Sequence, residues 1–373
     1  MAKVRDVTDI METWAPPSLA ETWDNSGLIT GDPDRDVSHV FVTLDVTREV
    51  IDLAVQHGAS MVISHHPPIF KPLYSLTGRS PTTDIITHAI KNDIALYAAH
   101  TNLDQAPGGV SWALAQKLDL HSIEPLTAGT AGAVKFVTFV PPEHTDNVRE
   151  AAASAGAGVI GEYRSCSFTT PGKGTYIPSE HAQPLEGISG ELTRYDEDRI
   201  EMIVPEPLIS RVIDAARKKH PYEEMAYDII PLSHNRSVFG YGAVGELNVP
   251  TVIDALLDDV LYKLNIASLR ISGAKKETVQ RIAVMGGSGS ALIGKAIGAK
   301  ADVFITGEIG YHDFITYDGD IVLVDATHRA TELPILERIV ERLTGSVIGG
   351  TIPVSIAEGK NRQKPYDHKT NTS

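Results

Sequence analysis

The sequence predicts an α/β protein whose mixed, largely parallel sheets are interrupted by a smaller α+β domain. Over 38–120, apolar segments of strand length alternate with amphipathic segments of helix length, and this alternation returns after residue 246. Between the two stretches the order changes to strand, helix, strands, helix, strand, which is the ferredoxin-like pattern. A chain of 373 residues also exceeds what one hydrophobic core usually serves, so several domains are expected.

In the first stretch each strand is followed by a helix. Repeats of this length predict right-handed crossovers between parallel strands. The strands are "HVFVTLDVT", "SMVISHH" and "IALYAAHTNLD", and the helices are "REVIDLAVQHGA", "PTTDIITHAIKND" and "GGVSWALAQKLDL".

The middle stretch begins after the small residues of "EPLTAGTAGAV". Its first strand is "KFVTFVPP", three strands are expected at 163–170, 190–199 and 199–205, and the last is "AYDIIPL". A Gly/Pro-rich loop, "PGKGTYIPSEHAQPLEG", separates the first two of those three. The helices "HTDNVREAAASAGA" and "PLISRVIDAARKKH" complete the pattern.

After the insert, the strands "QRIAVMGG", "ADVFITGE" and "GDIVLVDATH" alternate with helices. We therefore predict an N-terminal α/β lobe at 1–130, an inserted domain at 131–245 and a C-terminal α/β lobe at 246–359. The polar segment 360–373 is predicted to be disordered.

Composition narrows the function. Acidic residues outnumber basic ones by 48 to 33, and a net charge of −15 disfavours binding to a nucleic-acid backbone. With a single cysteine, Cys166, the chain has no internal disulfide, and any metal site must use His, Asp and Glu. Acidic residues near the N-terminus are unlike a secretory signal, and no apolar run has the length of a membrane span. These features predict a soluble, cytoplasmic protein.

The ends of three predicted strands bear residues that metals prefer. His65 and His66 are followed by two prolines, so at a strand end they can diverge toward two nearby points. Asp104 occupies the matching place one strand–helix unit later. His328 and Glu332, four residues apart at a helix start, can reach one ion. Each feature alone has a structural alternative: half-buried histidines, a capping aspartate, or a solvated first helical turn.

Together these five residues predict a site for two divalent metal ions per subunit, because the carboxyl ends of strands in open α/β sheets are where ligand sites form. Zinc is the first choice, with iron and manganese as alternatives. Glu332 is assigned as the carboxylate that bridges the two ions, which would together activate water and hold an electrophile. His100 is either a weaker ligand or a partner that orients Asp104.

Other polar residues follow the same strands. In "TGEIGYHDF", Glu308 and His312 are candidate acid/base groups, with a satisfied helix start as the alternative. The glycine turn "VMGGSGSAL" lacks the spacing of a nucleotide loop and is expected to be a tight turn. Asp45 either faces the same cleft or caps the next helix.

The motifs "WDNSGL", "SHHPPIF", "AHTNLD", "TGEIGYHD" and "THRATE" occur in the order and spacing of the NIF-three-like family, whose members are often labelled GTP cyclohydrolase 1 type 2. The resemblance covers nearly the whole chain. It implies a two-lobed core with a dinuclear metal site held by His65, His66, Asp104, His328 and Glu332. It further implies a homohexamer built from trimers. The insert resembles a PII/CutA-like domain, with "HPYEEMAYDIIPL" as its most characteristic phrase. Arg329 departs from the tyrosine that the family commonly has there.

These observations favour a metal-dependent hydrolase that acts on a nucleotide or a related phosphorylated heterocycle. The alternative is a non-catalytic, metal-binding or regulatory hexamer in which the insert senses a ligand. Whether the protein is an enzyme is left open by the sequence. A nucleic-acid-binding role is disfavoured by the acidic charge, and no membrane association is expected.

Overall fold

The computed structural model describes residues 2–127, 132–232, 239–272, 276–346 and 348–357. It divides into two compact units, Met1–Thr127 with Gly240–Ser373, and Ala128–Phe239. The fold is mixed α/β, and its sheets combine parallel with antiparallel strands. The predicted tail, 360–373, lies outside the described residues.

The first unit contains a five-stranded sheet with the order β1-β4-β3-β2-β15. Strands β15, β2, β3 and β4 are parallel, and β1 is antiparallel to β4. The strands are β1 (Gly27–Thr30), β2 (Val40–Thr43), β3 (Met61–Ser64), β4 (Ala95–Ala98) and β15 (Val354–Ile356).

Helices cover both faces of this sheet, because successive strand residues point to opposite sides and both sets are apolar. Val42 and Ile63 face one hydrophobic core, whereas Phe41 and Val62 face the other. The helices of this region are α1 (Val4–Trp14), α2 (Arg48–Gln56), α3 (Pro81–Lys91), α4 (Thr101–Gln105), α5 (Val110–Lys117), α11 (His328–Glu332) and α12 (Pro334–Thr344).

The same unit contains a six-stranded sheet with the order β11-β14-β13-β12-β10-β5. Its central strands β12, β13 and β14 pair in parallel, whereas β11, β10 and β5 pair antiparallel with their neighbours. The strands are β5 (His121–Pro125), β10 (Ala243–Val252), β11 (Arg270–Ile271), β12 (Thr278–Ser288), β13 (Val303–Gly307) and β14 (Val322–Asp325), and the helices are α8 (Ile253–Lys263), α9 (Ile293–Gly298) and α10 (Tyr311–Thr316).

Each sheet of the first unit contains a strand that lies, in the sequence, on the other side of the second unit from most of its neighbours. Strand β5, which precedes the second unit in the chain, pairs with β10 in the six-stranded sheet. Strand β15, near the C-terminus, pairs with β2 in the five-stranded sheet, and apolar residues of α12 such as Ile335 and Ile339 join the core beneath it. The two sheets are thereby joined through both halves of the chain.

The second unit is a four-stranded antiparallel sheet with the order β7-β8-β6-β9. Its elements are β6 (Ala133–Val140), α6 (Thr145–Ser154), β7 (Phe168–Tyr176), β8 (Thr193–Pro205), α7 (Ile209–Lys219) and β9 (Tyr227–Pro231). Residues from β6, β8 and both helices, including Phe136, Met202 and Val212, form its core.

Two strand predictions in this unit are wrong. The strands expected at 190–199 and 199–205 form the single strand β8, in which charged residues such as Asp196 point outward from a ladder that continues unbroken. Strand β7 continues through Pro171 and Gly172, which were assigned to a loop. It lies at the sheet edge, where a proline without an N–H is tolerated.

None of the helices in the described part of the chain combines the length and the apolar character that crossing a bilayer requires.

Candidate metal centre

The five predicted metal ligands come together in the first unit, at the carboxyl ends of parallel strands from both sheets. His65 and His66 directly follow β3, and Asp104 lies in the short helix α4 that follows β4. His328 and Glu332 lie on α11, after β14 of the other sheet. These five side chains are called the histidine–carboxylate cluster below.

Glu332 lies at the centre of the cluster. Its Oε1 atom is 3.0 Å from Nε2 of His328 and 3.6 Å from Nε2 of His65, and its Oε2 atom is 3.2 Å from Nε2 of His66. Asp104 lies beside the same His65 nitrogen, with Oδ1 3.6 Å from Nε2 of His65. Both oxygens of one carboxylate therefore face imidazole nitrogens, which is the arrangement a bridging carboxylate needs.

Two of the three histidines of the cluster, His65 and His66, are oriented by a hydrogen bond at Nδ1. His65 Nδ1 is 2.8 Å from the carbonyl oxygen of Ala99, and His66 Nδ1 is 2.9 Å from Oδ1 of Asp45. His328 Nδ1 lies 3.3 Å from Oε1 of Glu308, but among the described residues it has no hydrogen-bond partner. An acceptor at Nδ1 holds the proton there and leaves the lone pair of Nε2 directed toward the centre, as metal-binding histidines are usually arranged.

His100 has the same arrangement. Its Nδ1 lies 2.8 Å from Oδ1 of Asp24, a fully buried carboxylate that also accepts hydrogen bonds from Thr101. Two groups could hold a metal because their ligand atoms lie within 4.8 Å of one another: His65 with His66 and His100, and His66 with His328 and Glu332. His66 belongs to both groups.

The cluster fits a cation because some of its buried polar atoms lack any other partner. Among the described residues, no hydrogen bond reaches Nε2 of His65 or Oδ1 of Asp104. At 3.6 Å these two atoms are too far apart to hydrogen-bond each other. Burying an unpaired acceptor is costly, and a metal ion between the two atoms would satisfy both. The donor set of imidazole and carboxylate suits zinc, iron or manganese.

The electrostatics agree with this picture. Burial opposes ionisation of Glu332, but the surrounding imidazoles of His328, His65 and His66 outweigh it and hold the pKa of Glu332 well below its usual range. Burial raises the pKa of Asp104, although the nearby histidines partly offset this effect. Burial also opposes protonation of His66, yet Asp45 and Glu332 raise its pKa to about 10. Positive charge beside Glu332 is therefore favoured, and a bound cation would supply it.

The cluster is buried on one side and open on the other. The exposed fraction of the side chain rises from 0% at His65 and 4% at Glu332 to 35% at His328 and 58% at Glu308. A ligand approaching from solvent would therefore meet His328 and Glu308 first.

The two predicted acid/base residues differ in their surroundings. Glu308 contacts His328, whereas His312 is exposed on α10 and packs edge-on against Tyr311. His312 belongs to neither group of potential metal ligands among the described residues. The assignment of either residue to catalysis stays a prediction.

Strained backbone flanks the cluster on the side of the six-stranded sheet. Glu308 has φ +57° and Thr327, immediately before His328, has φ +68°, values that β-branched and other L residues rarely adopt. Asp325 holds both turns, since it accepts hydrogen bonds from the backbone N–H groups of Thr327 at 3.0 Å and Ile309 at 3.1 Å. Arg270 pairs with the same carboxylate. Strain that is held in place in this way is typical of functional sites.

The glycine turn has a role that the sequence did not reveal. Gly287 has φ +71°, and a Cβ atom there would lie 2.5 Å from Oε1 of Glu332. Its N–H donates to Oγ1 of Thr331, the residue beside Glu332. The turn thus leaves room for the central carboxylate. Of the two alternatives for Asp45, the structure shows the first: its carboxylate faces His66, and the cap of α2 is Thr47.

Comparison with known proteins identifies the family. Residues 2–364 match the model of the family described as Duf34/NIF3 (NGG1p interacting factor 3). The chain belongs to this family. A Duf34/NIF3 relative from Halalkalibacterium halodurans, named "GTP cyclohydrolase 1 type 2 homolog", is 39% identical over 84% of each chain. One of the same name from Bacillus subtilis is 35% identical over 97% of each chain.

A solved structure shows the same fold. The Bacillus cereus protein related to NIF3 superposes with a TM-score of 0.78 at 35% identity and covers 98% of each chain. The family resemblance predicted from the sequence motifs is therefore confirmed, together with the mixed α/β fold of Duf34/NIF3 proteins. The individual metal ligands stay predictions, which the geometry above supports.

Proposed function

We propose that this Duf34/NIF3 protein is a metal-dependent hydrolase that acts on a nucleotide or a related phosphorylated heterocycle. One observation carries the proposal: Nε2 of His65, His66 and His328 surrounds both oxygens of Glu332, while a hydrogen-bond acceptor holds Nδ1 of His65 and of His66. The name shared by the relatives, "GTP cyclohydrolase 1 type 2 homolog", supports a nucleotide as the substrate class.

In this proposal two divalent ions, zinc first and iron or manganese otherwise, are held by His65, His66, Asp104, His328 and Glu332. When bound, such ions supply Lewis-acid polarisation of water and of the substrate electrophile. Ala99 and Asp45 keep the rings of His65 and His66 in position through Nδ1, and Glu308 lies beside Nδ1 of His328. The buried side, formed by His65 and Glu332, excludes bulk water from the ions.

Glu308 is proposed to move the proton. Its carboxylate is exposed, lies beside His328 and is carried on a backbone turn held by Asp325. A carboxylate in this place can accept a proton at Oε1 from an attacking water and return it to a leaving group. His312 remains a second candidate on the neighbouring helix α10.

Further parts of the proposal concern the rest of the molecule. We propose that the second unit is an inserted PII/CutA-like domain. Its strand order, with β6 between β8 and β9 and β7 at the edge, supports this assignment because it is the order of ferredoxin-like sheets. We also propose that the chain forms a homohexamer, a dimer of trimers, as the family resemblance implies, and that it is located in the cytoplasm.

The test is turnover by metal-loaded protein on a panel of nucleotides and phosphoesters. We expect hydrolysis of at least one nucleotide, and a loss of about 100-fold or more in Glu332→Gln, since the central carboxylate is removed. Glu337→Gln is the matched control, because Glu337 is exposed on α12 and pairs with Lys117. Tight metal binding without turnover on the whole panel would contradict the hydrolase and favour the regulatory alternative.

A further inference from the structure

Two large aromatic side chains next to the cluster are exposed. Trp23 is 62% exposed and Phe70 is 52% exposed. Both rings pack edge-on against His100, with centroid distances of 6.2 Å for Trp23 and 5.6 Å for Phe70. The His100 ring in turn lies 5.3 Å from His65 and 5.6 Å from His66. Trp23 and Phe70 are called the aromatic pair below. They contact His100, which in turn contacts the predicted metal ligands His65 and His66.

The backbone beneath the aromatic pair is tightly fixed. Asp24, next to Trp23, accepts hydrogen bonds from His100 and Thr101. The side-chain Nδ2 of Asn25 donates a hydrogen bond of 2.8 Å to the carbonyl oxygen of Ile69, next to Phe70. Exposed aromatic rings on an ordered backbone leave apolar surface in water without any gain in folding, which is the usual mark of a binding surface.

We propose that the aromatic pair binds the flat heterocyclic base of a nucleotide whose reacting group lies at the histidine–carboxylate cluster. Every base has a π-face that stacks on an aromatic side chain, and tryptophan and phenylalanine are used for this purpose in nucleotide-binding proteins. Both aromatic rings contact His100, and His100 in turn contacts His65 and His66. A base stacked on the aromatic pair would therefore lie next to the cluster. This inference rests on the proposed function, for which it names the group that the protein recognises.

The experiment compares two probes that share a sugar and a phosphate but differ in the base. Binding of GMP and of ribose 5-phosphate to the metal-loaded, full-length protein is measured by calorimetry, for the wild type and for Trp23→Leu and Phe70→Leu. We expect GMP to bind more tightly than ribose 5-phosphate. Each substitution should weaken GMP binding about 5- to 100-fold, which corresponds to the loss of one stacked base, and leave metal content unchanged.

Tyr262→Leu provides the matched control, because Tyr262 is an exposed aromatic residue on α8. Equal binding of the two probes by the wild type, no GMP binding at all, or unchanged GMP affinity in both variants would overturn the inference. A change of oligomeric state in Trp23→Leu, seen by sedimentation without any base-dependent binding, would also overturn it and assign the pair to a contact between copies. Base-dependent binding without hydrolysis would uphold the aromatic pair and contradict only the hydrolase.

Discussion

His65 in the first unit and His220 in the second are both buried histidines that follow a regular element. They differ in whether both ring nitrogens have hydrogen-bond partners. His220 donates from Nε2 to the carbonyl oxygen of Phe139 at 3.0 Å, and its Nδ1 accepts from the N–H of Tyr222 at 3.1 Å. His65 has a backbone acceptor at Nδ1 only, and its Nε2 faces Asp104 and Glu332.

The difference separates a structural histidine from a ligand. Both ring nitrogens of a neutral His220 have hydrogen-bond partners within the second unit, so this residue needs no further ligand. His65 has a lone pair aimed at two carboxylates that cannot donate to it while ionised, and the mismatch is resolved by a cation. Burial alone would have ranked the two residues together, since both are less than a tenth exposed.

The largest expected effect comes from replacing His65, whose Nε2 atom has no hydrogen-bond partner among the described residues. His65→Leu should reduce metal affinity more than about 100-fold, beyond the 10- to 100-fold typical of losing an outer partner of a metal ligand. Metal content after dialysis, measured by mass spectrometry, checks this result. Full occupancy in His65→Leu would contradict the comparison at once, and His220→Leu serves as the control that should keep its metal.

The next effect concerns the acceptor that orients His66. Asp45→Ala should weaken metal binding about 10- to 100-fold while the fold is retained, because the ring of His66 loses the partner of Nδ1. Asp52→Ala is a matched control, since Asp52 makes a similar 2.8 Å contact with His88 outside the cluster. If both variants bound metal like the wild type, orientation through Nδ1 would not matter here.

Replacing His220 should lower the stability of the protein and leave metal binding unchanged. His220→Leu leaves the carbonyl oxygen of Phe139 and the N–H of Tyr222 unpaired, at a cost of about 1–3 kcal/mol in the free energy of unfolding. Urea denaturation followed by circular dichroism measures this change. Unaltered stability, or a loss of metal in this variant, would show that the two histidines are not of different kinds.

The smallest effect is a dependence on pH. Burial lowers the pKa of His220 below the usual histidine value of 6.5, and the hydrogen bond to Phe139 only partly offsets this effect. The unfolded chain therefore binds more protons than the native protein just below pH 6.5, so the contribution of His220 to stability is present above that pH and is lost as the pH falls. Unfolding titrations of the wild type and His220→Leu between pH 5 and 8 should diverge above 6.5 and converge below it. Parallel curves would contradict this assignment.

Much of the site could be predicted because its ligands follow strand ends in a regular alternation. His65, His66, Asp104, His328 and Glu332 each occupy such a position, and the structure brings them together. The residues that hold them were harder to find. Asp24 and Asp325 act through hydrogen bonds to partners that are not adjacent in the chain or that lie in strained turns, and no periodicity indicates such contacts.

The fold shows the same division. Strands such as β2 and β3 are continuous apolar runs, and they were predicted correctly. Strand β8 was divided in two because charges in its middle are typical of a turn, whereas pairing with β6 and β7 on both sides keeps it extended. The pairing of β15 with β2 depends on the cores beneath both strands, which a local pattern does not contain.

The central claim is that side chains from both sheets hold two metal ions around Glu332. Anomalous scattering from crystals of the purified protein tests it most directly. The account predicts two peaks about 3.5–4 Å apart, with Nε2 of His65, His66 and His328 and both oxygens of Glu332 as ligands. No peak, or a metal held elsewhere while Nε2 of His65 stays unbound, would contradict it.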